Sequence, residues 1–310
     1  MRLLHRLAPV AALALLVTGC THASEEATSS SGAASGSRAA IPSNDELIAS
    51  IEKDPKIAAM VPADVAAKGT LANGAAANYA PAEFLAPDGS TVVGYDVDYA
   101  RAVGRVMGLE VTTTNAAFPS LIPAIGTKYD MSVSSFTITA AREKQVTMTS
   151  YFKAGFAMAV QKGNPSKASP EDLCGHSVAV QTGTAQETAA QERSAACTKK
   201  GKKGIDVLSY ANQADAATNV AGGKADVAFA DSMIIDYAIK QSGGKLEALG
   251  SMTDAALFGV VTAKDDPKLA EAVRAATQKL IDDGTMRKLL ATWGNDNGLI
   301  ETSQVNPTVK

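Results

Sequence analysis

The chain has 310 residues, 46% of them hydrophobic, with 29 Lys and Arg against 32 Asp and Glu. The length accommodates two lobes. The slight acidic excess, with no basic patch beyond the loop Lys199-Lys200-Gly201-Lys202-Lys203, argues against a nucleic-acid partner, because phosphate binding rests on clustered Lys and Arg.

The N-terminus reads as a targeting segment. Arg2 and Arg6 precede an apolar run from Leu7 to Val17, and small residues follow. Such a run covers only about 16 Å as helix, against roughly 30 Å of bilayer hydrocarbon, so residues 1–19 are expected to be a signal peptide and not a membrane span. Val17-Thr18-Gly19-Cys20 resembles the bacterial lipobox, which implies lipidation of Cys20 and anchoring to the outer face of the cell membrane. Loss of residues 1–19 removes two arginines and no acid, leaving 27 basic and 32 acidic side chains, a net −5. Residues 20–43 then form a tether too poor in large apolar groups to fold, with a root-mean-square reach of roughly 25 Å. No later stretch reaches 18 uninterrupted apolar residues, so no second membrane segment is expected.

From Asn44 onward strands and helices alternate. Expected strands are Thr70–Ala75, Val92–Tyr95, Leu109–Thr114, Met131–Ser135, Ala157–Gln161, Ser177–Gln181, Ile205–Leu208, Val227–Ala230 and Gly259–Thr262. Expected helices are Asp96–Met107, Pro119–Ile125, Ala185–Ala196, Asn212–Val220, Ser232–Gln241, Pro267–Asp283 and Thr285–Trp293. Gly108 stands where a glycine closes a helix, and Pro119 where a proline opens one. The alternation predicts α/β lobes with largely parallel sheets. Cys174 and Cys197 are the two cysteines left in the folded part. In an oxidising extracytoplasmic space they are expected to pair, which stabilises by about 3 kcal/mol in the chain-entropy account. His176 alone does not supply a metal site, and no metal or cofactor is expected.

Three stretches carry chemistry. In Ser134-Ser135-Phe136-Thr137-Ile138-Thr139-Ala140-Ala141-Arg142, a strand ends in hydroxyl residues, Thr139 caps the next turn, and Arg142 joins backbone amides as a donor cluster suited to a carboxylate. In Thr182-Gly183-Thr184-Ala185-Gln186-Glu187, Thr184 and Glu187 form a capping box whose free N–H groups also suit an anion. The run Gly223 to Asp231 ends on a carboxylate at the carboxyl end of a strand. There it either holds an ammonium group or caps the helix from Ser232. The acids Asp96 and Asp98, at a helix start, read as capping groups.

These stretches, with Gly94-Tyr95-Asp96-Val97-Asp98 and the ending Asp283-Gly284-Thr285 through Trp293-Gly294, resemble in order and spacing the family 3 extracellular solute-binding proteins, the polar amino-acid receptors of ABC importers. The resemblance runs from about Gly69 to Gly294. It implies a two-lobed, periplasmic-binding-protein-like (type II) α/β fold with two hinge crossovers, near 151–155 and 252–258. Lobe 1 would combine 62–150 with 259–300, and lobe 2 would span 156–251. It further implies that Arg142 pairs with a ligand α-carboxylate, helped by Thr137, the Ser135 backbone, Thr184 and the Ala185 amide. Asp231 would take the α-ammonium, and Tyr79 and Phe118 would flank the side chain. The function so implied is capture of an amino acid or similar small zwitterion and its delivery to a membrane permease, by a protein that is no enzyme and by default a monomer. The alternatives are an extracytoplasmic dehydratase or lyase and a sensor-linked binding protein on the same fold. Neither a GxSxG turn nor an HExxH site occurs. Three departures from the family pattern stand out: Tyr99 where an aliphatic is usual, Ala82 after Tyr79-Ala80-Pro81, and Ala76 where receptors for some basic amino acids carry an acid. The last weighs against a basic ligand. Gln181 is left between contacting a polar ligand side chain and facing solvent.

Overall fold

The computed structural model describes residues 41–309. The expected signal peptide, Cys20 and nearly all of the tether lie outside the described residues. Three short helices open the folded part: α1 (Asp45–Ala49), α2 (Pro55–Ala58) and α3 (Ala63–Lys68). Asp54 caps α2 by accepting from the amides of Lys56 and Ile57, and Pro55 takes the first helical position, where no N–H is needed. Their apolar residues Ile48, Ile57 and Val65 join the main core. The sequence reading missed all three, because helices of four to six residues carry too few turns to show a period.

Twelve strands follow. They are β1 (Thr70–Ala75), β2 (Asn78–Tyr79), β3 (Glu83–Leu85), β4 (Val92–Val93), β5 (Glu110–Asn115), β6 (Met131–Ser132), β7 (Thr147–Gln161), β8 (Ser177–Gln181), β9 (Asp206–Tyr210), β10 (Val227–Asp231), β11 (Leu246–Ala248) and β12 (Thr253–Thr262). The remaining helices are α4 (Tyr95–Met107), α5 (Phe118–Leu121), α6 (Ala140–Glu143), α7 (Ala185–Lys199), α8 (Gln213–Ala221), α9 (Ser232–Gln241), α10 (Pro267–Asp282) and α11 (Thr285–Thr292).

One continuous sheet of nine strands runs β5-β1-β6-β12-β7-β10-β8-β9, with β11 on β7, and β2-β3-β4 form a small separate sheet. The sheet is mixed, not largely parallel. Pairs β1/β5, β1/β6, β8/β9 and β10/β8 are parallel, whereas β7 and β12 run antiparallel to each other and to their neighbours. The difference comes from β7, whose 15 residues are ten more than the expected Ala157–Gln161. Its first half pairs with β12 and its second with β10 and β11. That strand thus passes from the lobe built on β1, β5 and β6 to the lobe built on β8, β9 and β10.

Where β7 and β12 cross, an aromatic stack fixes them to α4. Tyr99 lies 4.5 Å from Tyr151 ring to ring, and Tyr95 lies 5.4 Å from Phe152. All four are fully buried, and each such ring contributes about 1.5–3 kcal/mol by leaving water. Tyr99 exceeds an aliphatic residue in one respect: its hydroxyl sits 2.6 Å from that of Thr277 on α10, tying two helices inside the core. A second core under β8 and β10 includes Phe156, Val178, Val180 and Phe229. Its outer edge carries the Cys174–Cys197 disulfide, which joins the loop before β8 to the last turns of α7 with 5.6 Å between Cα atoms. Beyond residue 300 the chain continues along the start of β7, where the Ser150 amide donates to the Gln304 carbonyl and the Asn306 amide to the Met148 carbonyl.

Candidate functional site

Parallel strands in each lobe end toward a common cleft, the place where α/β sheets collect ligands. From one side come Tyr79 on β2, Phe118 on α5, Ser134, Ser135 and Thr137 in the segment after β6, and Arg142 on α6. From the other come Gln181 at the end of β8, Thr184, Ala185 and Gln186 at the start of α7, and Asp231 at the end of β10. The walls stand close together, so the space between them is small. All eight residues singled out in the sequence as ligand-binding line it.

Asp231 precedes α9 but makes no capping bond. Its Oδ2 accepts from the Tyr79 hydroxyl at 2.6 Å and its Oδ1 from the Gln186 amide at 2.7 Å. The helix-cap alternative therefore fails, and the carboxylate is turned into the cleft. Burial pushes its pKa up to about 7, against the opposing hydrogen bonds from Tyr79 and Gln186 and the charge of Arg142.

Arg142 is half-buried in the opposite wall. The Thr139 hydroxyl accepts from its backbone amide at 3.2 Å and so fixes the turn that carries it. One guanidinium nitrogen donates to the Thr137 carbonyl at 2.8 Å and another, across the cleft, to the Gly183 carbonyl at 3.1 Å. The group lies 5.5 Å from the Phe118 ring centre and 5.4 Å from that of Phe136, two rings that stack on one another at 4.7 Å. Burial lowers its pKa to about 10, so it stays charged at neutral pH. Among the described residues no carboxylate lies within salt-bridge distance of it. Two of its five N–H donors are used by carbonyls, which leaves the others for an anion.

The neighbouring polar groups divide into used and unused. The Thr184 hydroxyl donates to the Gln181 carbonyl at 2.7 Å and accepts from the Glu187 amide at 3.2 Å, so it is spent on the cap of α7. Glu187 answers by accepting from the Gly183 amide at 2.7 Å. What the turn can offer an anion is the backbone N–H of the first helical positions. Ser135 directs both its amide and its hydroxyl at Asp96, 2.7 and 2.9 Å away, which leaves its carbonyl as an acceptor. Gln181 is buried, not solvent-facing, and donates to Asn78 at 2.9 Å across the cleft. Asn78 also donates to Asn212 at 3.0 Å.

The capping role expected of Asp96 and Asp98 is corrected. The N-cap of α4 is Gly94, with no side-chain cap. Asp96 is fully buried and accepts from Ser135 and from the Tyr151 hydroxyl at 2.7 Å. Asp98 accepts from Asn44 and from the Trp293 indole, both at 2.8 Å, tying the first and last parts of the folded chain to α4. Two residues missed in the sequence belong to the site. Gln186 holds Asp231, and Ser134 bridges the cleft to a buried acid, Glu83, by a bond of 2.5 Å. Both sit inside stretches already singled out, and the available signal for Gln186 was its place in the first turn of α7, directly after the capping Thr184 and Ala185.

A carboxylate on one lobe, a guanidinium on the other and a narrow cleft between them define a protein that clasps a small solute. The profile of the bacterial extracellular solute-binding proteins, family 3, matches residues 71–296, and the chain belongs to that family. It is 36% identical over 255 residues to the arginine-binding protein ArgT of Corynebacterium glutamicum, covering 81% of this chain and 83% of that one. It is 32% identical over 220 residues to the histidine-binding periplasmic protein of Escherichia coli K12, covering 68% and 82%. Among solved structures it resembles an ancestral arginine-binding protein bound to arginine, with 30% identity, TM-score 0.67 and coverage of 73% and 98%. It also resembles the ancestral amino acid-binding protein AncCDT-1, a precursor of cyclohexadienyl dehydratase, with 31% identity, TM-score 0.66 and coverage of 74% and 97%.

Proposed function

We propose that the protein captures an α-amino acid between its lobes, with L-arginine the first candidate, and hands it to an ABC importer without chemical turnover. The observation that carries this reading is the placement of Arg142 and Asp231 on opposite walls of one cleft, close enough that each charge perturbs the other. A zwitterion has charges of the opposite order. Its carboxylate meets Arg142, the Thr137 hydroxyl and the amides at the start of α7; its ammonium meets Asp231 and the Ser135 carbonyl. Tyr79 and Phe118 flank its side chain. The binding energy favours the shut arrangement because only there do both ends find partners. The bending falls within the crossover strands, near 151–155 in β7 and 252–258 in and beside β12, and separates lobe 1 (62–150 with 259–300) from lobe 2 (156–251). Lipidated Cys20 and the tether would hold a monomer of this kind against the outer face of the membrane, within reach of the permease.

Arginine is supported by the arginine-binding relatives named above. A neutral polar amino acid is the second reading. Ala76 offers no charge, and among the described residues that line the cleft Asp231 is the single acid, beside the amides of Gln181 and Gln186. A thermal-shift screen over the twenty amino acids, followed by calorimetric titration, tests both. Arginine giving the largest shift supports the first reading and glutamine the second. No shift with any amino acid, or consumption of the ligand during titration, sinks the proposal.

A further inference from the structure

Behind the cleft wall lies a pair of acids that the binding scheme does not use. Glu83 on β3 and Asp96 on α4 are both fully buried, and they hold two consecutive residues of the cleft wall, Glu83 bonding Ser134 and Asp96 bonding Ser135. They meet because Gly94 opens α4. Its φ is 134°, and a Cβ there would come within 2.1 Å of the Ala82 carbonyl oxygen, so only glycine lets the helix start this close to β3. The amide of Asp96 then donates to the same carbonyl at 3.0 Å.

The two acids have unequal surroundings. Asp96 receives three donors: the Ser135 amide, the Ser135 hydroxyl and the Tyr151 hydroxyl. Glu83 receives one, the Ser134 hydroxyl on Oε1, while Oε2 is buried with no donor to accept from. An ionised Oε2 would be an unsolvated charge; a protonated one is itself a donor to its neighbour. Each acid grips a different residue of the cleft wall. Glu83 holds Ser134, whose oxygen in turn accepts the Ala76 amide at 3.0 Å. Asp96 holds Ser135 in a left-handed backbone conformation, φ 48°, that a serine avoids when free.

We propose that Glu83 and Asp96 act together as a positioning pair: Glu83 keeps a proton and donates it to the Asp96 carboxylate, and the pair holds Ser134 and Ser135 in the shape the ligand requires. This rests on the amino-acid reading of the cleft. Burial raises Glu83 well above the ordinary carboxylate range, and the charge of Asp96 raises it further. Burial lifts Asp96 to about 6, with its donors opposing. The other titratable groups facing the pair are Tyr95, Tyr151 and, from the cleft, Asp231, and all are neutral or negative. Among the described residues no cation pairs with either acid to compensate a second negative charge, so loss of the shared proton at alkaline pH forces the pair apart and frees Ser135.

The test starts with the wild-type, ligand-free protein. Carbon-13 NMR of the Glu83 carboxyl is expected to report the protonated form at pH 7, and the Ser135 amide is expected to shift as that proton leaves on raising the pH. An ionised Glu83 at pH 7 overturns the proposal without any variant. Glu83→Gln keeps a donor toward Asp96 and an acceptor for Ser134, so it should retain amino-acid affinity within about threefold and lose the alkaline shift of the Ser135 amide. Glu83→Leu should move that resonance and weaken binding by roughly tenfold or more, the usual cost of stranding buried polar partners. A Leu variant that binds as wild type with Ser135 unmoved, or a Gln variant with the wild-type pH response, contradicts the proposal. Wild-type protein that binds no amino acid would defeat the functional reading, while the carboxyl and amide signals still decide the pair.

Discussion

Replacing Asp231 with Asn should weaken ligand binding and strengthen the ligand-free protein at the same time. A carboxylate and an ammonium about 4 Å apart attract by about 4 kcal/mol at an effective dielectric of 20, which is about three decades in Kd. Asn retains one acceptor for the ammonium, so the expected loss is about 10²- to 10³-fold. The stability effect has the other sign. Burial lifts the Asp231 pKa from 3.8 to about 7. A carboxyl with a raised folded-state pKa holds its proton longer in the native than in the unfolded chain, so stability is fully present below the unfolded value and is lost as pH rises through about 7. Roughly three pKa units at 1.36 kcal/mol each set a ceiling of about 4 kcal/mol. Asn escapes this cost while keeping a polar partner for Tyr79 and Gln186. Thermal denaturation of the ligand-free proteins should therefore show the variant more stable than wild type at pH 8 and nearly equal at pH 4. Titration calorimetry should show the affinity loss. A variant that binds as tightly as wild type, or whose stability advantage grows toward acid pH, would refute the reasoning.

Arg142→Ala is expected to abolish amino-acid binding while leaving the melting temperature of the ligand-free protein within a few degrees, since burial already disfavours the charge and no ion pair among the described residues offsets it; calorimetry and a thermal scan check both halves. Gly94→Ala should destabilise by about 2–4 kcal/mol, because the new Cβ meets the Ala82 carbonyl at 2.1 Å and the backbone φ of 134° excludes side chains; urea denaturation at wild-type stability would contradict it. Alkylation without reductant should label neither Cys174 nor Cys197, and reduction should cost about 3 kcal/mol of stability.

Much of the site was legible because its signals are local. Thr139 and Arg142 share one turn, Thr184 and Glu187 share another, and β8, β1 and α9 have the bounds their alternation or spacing suggests. The partners of Asp231 were not legible together, since Tyr79 stands 152 residues away and only the folded sheet brings the two side chains into contact. Asp96 and Asp98 misled for a related reason. Acids in a first turn favour the helix dipole wherever they point, and nothing local says that Ser135, Tyr151, Asn44 and Trp293 claim them instead. The crossovers were expected near 151–155 and 252–258, but their antiparallel strand pairing escaped because Thr147–Phe156 and Thr253–Phe258 mix polar and apolar residues without a clean alternation, and they are held as strands by pairing with each other.

The most direct test of the account is a crystal structure of the protein with the amino acid that gives the largest thermal shift. The account predicts the α-carboxylate on the Arg142 guanidinium and the α-ammonium within hydrogen-bonding distance of the Asp231 carboxylate, with the side chain between Tyr79 and Phe118. A ligand bound elsewhere, with Arg142 still joined only to the Thr137 and Gly183 carbonyls and Asp231 only to Tyr79 and Gln186, would contradict it.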